Sequence, residues 1–199
     1  MDALSNIALI AGLGWASGVR LYAVLFFLGV LHHAGIYILP ANLQVLAHPA
    51  VMGVSGVLFC LEFFADKIPG VDALWDAVHT FIRIPAGATL AAAAVASADP
   101  GLAIAAGLLG GVIAAGTHLA KAGGRVLINA SPEPFSNWAA SFGEDTLALA
   151  GLWAALKYPL VFLALLALFI VLVAWLLPRL WRGVKRVFST IRHLAGRSA

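Results

Sequence analysis

Residues 158–177, YPLVFLALLALFIVLVAWLL, contain no charged side chain. A helix of about 20 apolar residues is what a hydrocarbon core of about 30 Å requires. Inside that core every backbone polar group must be satisfied within the protein, so a chain carrying such a run is confined to packed helices. The remainder agrees: 62% of the 199 residues are hydrophobic, 11% are charged, and mean hydropathy is +0.98. Soluble domains are only about half apolar. The expectation is an all-α, polytopic helical bundle with about five or six membrane segments, a membrane domain over 1–178 and a basic tail over 179–199. Asp2 leaves no basic leader region, so the first apolar run reads as a membrane segment rather than a cleaved one. The single cysteine, Cys60, has no intrachain partner and reads as a small buried hydrophobe.

Charge is distributed unevenly. Six of the twelve basic residues follow Pro178 (Arg179, Arg182, Lys185, Arg186, Arg192 and Arg197), with no acid among them. This places the C-terminus in the cytoplasm, in a bacterial inner membrane. The same segment interleaves Leu180, Trp181, Val184, Val187, Phe188 and Ile191, so it reads as an amphipathic helix on the anionic leaflet. Its partners are membrane lipids and not nucleic acid.

Residues 3–31 are apolar apart from Asn6, Ser17 and Arg20. As one straight helix they would run about 44 Å, longer than the core. They form either a tilted helix or two half-length pieces hinged at Gly12–Gly18, the second leaving Arg20 near mid-depth beside freed backbone groups. His32 and His33 read as interfacial. A span follows from Pro49 to Ile68. Residues 86–98 and 101–116 read as two further apolar segments, rich in small residues that allow close helix contact and a possible homo-oligomer. Thr117–Asp145 is polar, and Pro132 and Pro134 bar a continuous helix, so the region reads either as irregular backbone buried in protein or lining a wet cavity, or as a plain external loop.

Glu62–Arg83, EFFADKIPGVDALWDAVHTFIR, carries six charges. Glu62 and Asp66 share a helix face. After Pro69-Gly70, Asp72, Asp76, His79 and Arg83 fall on one stripe of a second helix, opposite Val71, Leu74, Trp75, Val78, Phe81 and Ile82. Ile84-Pro85 should end that helix.

The chain also reads as an internal repeat, about 3–85 against about 100–178. Residues 48–69 match 158–178 in having X-Pro, an apolar span, a second proline and then an amphipathic helix, and Arg20 matches Arg125 upstream. Charges of opposite character after Pro69 and Pro178 suit an inverted pair with broken or re-entrant segments, the arrangement that in transporters frames a midplane site.

The pattern ExxxDKIPxxDxxWDxxHTxIRxPxG over 62–87, with NxSPEPxSNWxxSxxED over 129–145, resembles the DUF4126 family of bacterial and plastid-type integral membrane proteins. The likeness extends over about residues 5–180; Ile84 is one departure from it. It implies a membrane location and a helical fold, and no activity.

Intramembrane charges cost about 2.5–3.5 kcal/mol each at a span centre unless paired. Mutual neutralisation would pair Glu62 or Asp66 with Arg20 or Arg125. A transporter-like reading assigns Arg20, Arg125, Lys121, Asn129 and Asn137 to an anionic solute or lipid headgroup, because guanidinium binds carboxylate and phosphate bidentately. Glu62, Asp66, His79 and Arg83 would couple or gate. A metal-dependent enzyme acting on a lipid phosphate would instead gather Asp72, Asp76, His79, Glu144 and Asp145 around a divalent ion. A scaffold without solute is the third reading. No G-x-S-x-G, Walker or H-E-x-x-H motif is present.

Overall fold

The computed structural model describes residues 2–129 and 135–195. Pro132 and Pro134 lie outside them, as do residues 196–199 with Arg197. The described chain is entirely helical: α1 (Ala3–His33), a 3₁₀ segment (Ala41–Ala47), α2 (Pro49–Ala65), α3 (Val71–Val95), α4 (Pro100–Ile128), α5 (Phe135–Lys157) and α6 (Pro159–Ala195). Local chemistry sets the starts. Asp2 and Asp99 accept from the amides of Ser5 and Leu102, both at 2.7 Å, and Pro49 and Pro100 occupy first-turn positions where a missing N–H costs nothing. Between α2 and α3 the chain turns on Gly70, whose φ of +85° only glycine adopts without strain. The Asp72 carboxylate then accepts from the amides of Gly70 and Ala73 at 2.8 and 2.7 Å.

Among the described residues four helices are long and apolar enough to cross a membrane: α1, α3, α4 and α6 over Pro159–Leu176. A fifth appears if the 3₁₀ segment and α2, bent by 67°, count as one span. The protein is a multi-pass membrane protein. Its exposed surface is correspondingly apolar, as at Phe64, Phe81, Leu108, Val112 and Leu160. Cys60 belongs to this outer face rather than to the core.

The most central helix is not a simple span. In α1, 78% of the apolar window is buried, against 11% in α6. Its backbone breaks at Arg20, with φ −147° and ψ 75°, and not at the preceding glycines. If straight, Asn6 and His32 would stand about 39 Å apart. Instead Asn6, Ile38 and Leu39 line one cavity with Ala94 and Val95, and the Leu39 amide donates to His32 Nδ1 at 3.2 Å. Lys157, at the end of α5, lies over the Tyr37 ring. Both ends of α1 therefore sit at the C-terminal ends of α3 and α5, and Arg20 is the tip of a helical hairpin. The first arm packs on α4 and α5: a Cβ on Gly14 would meet the Gly110 carbonyl oxygen at 2.6 Å, and Gly151 lies against Trp15. The second arm runs antiparallel to α2, Phe26 against Gly56 and Gly29 against Met52. The glycines, a hinge under one of the two readings of this segment, thus serve close helix contact.

Three boundary expectations are corrected. α3 passes through Pro85 to Val95, because Gly87, Leu90, Ala91 and Ala94 beyond the proline bury against neighbouring helices, and tertiary packing outweighs propensity. α4 continues to Ile128 and α5 begins at Phe135, so most of the polar Thr117–Asp145 region is helix rather than loop. α6 passes through Pro178, so the strings matched in the repeat differ: the first turns at Gly70, the second does not. Arg179 donates to the Trp175 carbonyl at 2.6 Å, beside the Ala174 carbonyl that Pro178 leaves without its helical donor.

A Cys60→Ser background carrying Asn6→Cys and Leu39→Cys should cross-link through a short bis-maleimide in membranes. A straight α1 would leave the pair unlinked, and electrophoretic mobility distinguishes the two.

Candidate functional site

The stripe on α3 faces inward. Asp72, Asp76, His79 and Arg83 are between 0% and 6% exposed, whereas Phe81 on the opposite side is 82% exposed. The helix is amphipathic with the usual sense reversed, as a membrane requires. Around this stripe the bundle collects Arg20 from the α1 tip, Glu62 and Asp66 from the end of α2, Lys121 and Arg125 from α4, and Asn137, Ser141, Glu144 and Asp145 from α5.

The hub is Asp66. A single carboxylate oxygen takes hydrogen bonds from both Arg20 and Lys121, the latter at 3.0 Å, and lies 3.6 Å from Arg125. Its backbone carbonyl accepts from Arg125 at 3.0 Å. Glu62 binds Arg83, and Asp76 joins Arg83 at 2.8 Å to Lys121 at 3.2 Å. Glu144 grips Arg125 through both oxygens, at 2.9 and 2.7 Å, and stands 3.5 Å from both Lys121 and Arg20. Asp145 lies 2.8 Å from Arg20 Nε. Asn129 donates to both oxygens of Asp72, and Asn137 accepts from Arg125. Lys121 also reaches the Val19 carbonyl at 3.3 Å, next to the α1 break, and Arg20 reaches the Ser141 carbonyl and hydroxyl at 3.1 Å. The helix break and the charge cluster are therefore one construction: side chains occupy the backbone groups beside the break.

His118 is neutral by hydrogen-bond logic. Arg83 can only donate, so His118 Nδ1 accepts at 3.1 Å, and its Nε2–H donates to Thr80 Oγ1 at 2.7 Å while Thr80 donates to the Asp76 carbonyl. His79 Nδ1–H donates to the Trp75 carbonyl at 2.8 Å, and its Nε2 pairs with the Tyr22 hydroxyl at 3.1 Å, a group that can donate or accept. Six carboxylates (Glu62, Asp66, Asp72, Asp76, Glu144, Asp145) thus face four cations (Arg20, Arg83, Lys121, Arg125), a formal −2 within the ion-paired set. Lys67 stands at the edge, held by Ser141, the Phe63 carbonyl and the Phe63 ring. Counting it leaves −1.

The residues expected to hold an anion, Arg20, Arg125, Lys121, Asn129 and Asn137, do converge, but every one is engaged by another protein group. Of the expected coupling groups, Glu62, Asp66 and Arg83 belong to the cluster, while His79 turns away to Tyr22. The metal set is not assembled: Asp72 is taken by Asn129, Asp76 by Arg83 and Lys121, His79 by Tyr22, and Glu144 by Arg125. Among the described residues no three His, Cys, Asp or Glu side chains form a metal-holding group. Ser141, Tyr22 and Thr80 were not singled out from sequence. Ser141 lies within the 129–145 motif, Thr80 within the 62–87 motif and Tyr22 two residues beyond Arg20, the only signals they carry.

A family model described as Domain of unknown function (DUF4126) matches residues 7–179. No curated protein and no solved structure matches the chain.

Lys121→Met leaves Asp66, Asp76 and Glu144 short of one shared cation, and should destabilise the folded protein by about 3–5 kcal/mol. Adding Asp76→Asn should recover about 0.5–3 kcal/mol of that. Thermal unfolding in detergent reads both; a Lys121→Met protein as stable as the parent would contradict the network.

Proposed function

The chain belongs to the DUF4126 family, which brings no activity with it, and from that premise we propose, on the chemistry of the buried charges, a transporter-like protein. It binds an anionic group, a small solute or a lipid headgroup, at the cations between its two halves. Arg20 comes from the first half and Arg125 and Lys121 from the second. The orientation that follows is a bacterial inner membrane with the basic C-terminal end of α6 in the cytoplasm.

One observation carries this reading. Glu144, with a side chain 17% exposed, is the most accessible of the six acids and at once touches Arg125, Lys121 and Arg20. It occupies the place an incoming carboxylate or phosphate would take, and Arg125 holds it in the bidentate geometry such groups share. An entering anion displaces Glu144, and Glu144 takes up a proton as it leaves the guanidinium. For a singly charged anion the charge of the cluster is then unchanged: one anion and one proton enter together. Glu62, Asp66 and Asp76 hold Arg83, Lys121 and Arg20 in place throughout, and Asn137 fixes Arg125.

The test uses proteoliposomes containing a trapped pH dye. Gradients of inorganic phosphate or glycerol phosphate should drive saturable internal acidification. Glu144→Gln, which mimics the protonated acid, should reduce that acidification at least tenfold while labelled anion still enters. Acidification by the variant equal to that of the parent, or none driven by either anion, refutes the coupling.

A further inference from the structure

Beside Glu144 a cavity of about 510 Å³ leaves the cluster and runs between α1, α4, α5 and α6. Its inner end is Val19, Lys121 and Glu144; its walls further out are apolar, including Trp15, Ala154, Phe162 and Phe169. From Glu144 to Ala154 it extends about 15 Å along α5. Its volume falls within the range of about 300–1,000 Å³ common for small-ligand sites.

Three features define what fits. First, the charged end is continuous with the cluster, and the opposite end offers no polar partner of comparable strength. Second, the lining elements include α6, whose outer residues Leu160, Val161 and Leu165 are exposed where bilayer lipid surrounds a multi-pass protein, so an apolar chain can reach the cavity sideways without crossing water. Third, the Trp15 ring stands on the wall with Phe162 and Phe169 edge-on to it, an apolar aromatic surface for a hydrocarbon chain to lie against.

We infer that this cavity is the binding groove for the hydrocarbon chain of an anionic amphiphile, whose acidic head meets Lys121 and Arg125 in place of Glu144. The inference rests on the anion reading above and narrows its substrate class from anions in general to an acidic head on an acyl chain. Two sources share that chemistry, a single-chain fatty anion and a two-chain phosphatidic acid. The head lies within the helical bundle: Lys121 is seven residues from the end of α4 at Ile128, about 10 Å along the axis. An amphiphile bound here is drawn below the usual headgroup level, the step a lipid needs before it can change leaflet or meet a proton donor.

The experiment places the full chain in nanodiscs doped with brominated lipids and reads the Trp15 part of the fluorescence quenching, defined as the quenching removed by Trp15→Phe. Brominated phosphatidic acid or brominated fatty acid should half-quench Trp15 at a mole fraction at least threefold lower than phosphatidylcholine with the same chain. Whichever acidic lipid shows the larger advantage identifies the source. Ala154→Phe and, independently, Leu147→Phe should narrow the groove and remove at least half of that advantage. Equal quenching by acidic and zwitterionic lipid in the parent protein overturns the inference and needs no variant. An unchanged advantage in a folded groove variant overturns it as well. Either result leaves the phosphate-driven acidification, measured separately, to decide the anion reading.

Discussion

A carboxylate shared by three cations organises this protein. Asp66 meets Arg20 of α1 and Lys121 and Arg125 of α4 through one oxygen. None of these groups can be left alone inside a bilayer, where an isolated charge is expensive and a paired one is tolerable only with good geometry and further hydrogen bonds. The other contacts supply those bonds. Glu62 and Asp76 hold Arg83, Glu144 and Asn137 hold Arg125, and Ser141 holds Arg20. The arrangement of α1 follows. For Arg20 to reach Asp66 and Ser141, the helix breaks there and turns back, and Lys121 takes the carbonyl beside the break.

Such a network stabilises less than an apolar core of equal volume would. Its value lies in specificity and in the states it permits. The set carries more acid than base, the neighbouring His118 is already neutral, and one acid, Glu144, reaches the edge of a groove. A saturated, symmetric set of ion pairs would be inert. An excess of carboxylates with one accessible member can exchange a partner and take a proton. This difference separates a transporter-like reading from that of a scaffold, and it depends on the position of Glu144 rather than on the number of charges.

Parts of this were legible in the chain. Asp72, Asp76, His79 and Arg83 share a stripe because they are spaced at helical intervals, and spacing within one helix is local information. That Glu62 and Asp66 would meet Arg20 or Arg125 could be reasoned from the cost of unpaired charge. Other features were not legible. Pro85 and Pro178 read as helix ends, because a missing N–H is visible in sequence; at Pro85 the packing of Gly87, Leu90 and Ala91 that outweighs it is not. The glycines before Arg20 left a hinge and a continuous tilted helix both open, since glycine permits both a bend and a close approach. Gly110 on the facing helix decided for approach. Asn129 and Glu144 looked like ligand-binding groups, and their actual partners stand 57 and 19 residues away.

By itself the sequence determined that this is a helical membrane protein with an inward polar element, because hydrophobic length and helical periodicity are properties of single segments. Only the tertiary structure decided which charges neutralise which, where α1 turns, and that a groove ends on Glu144. Those outcomes depend on which helices lie side by side, and side-chain partners tens of residues apart are chosen by packing, which no single segment encodes.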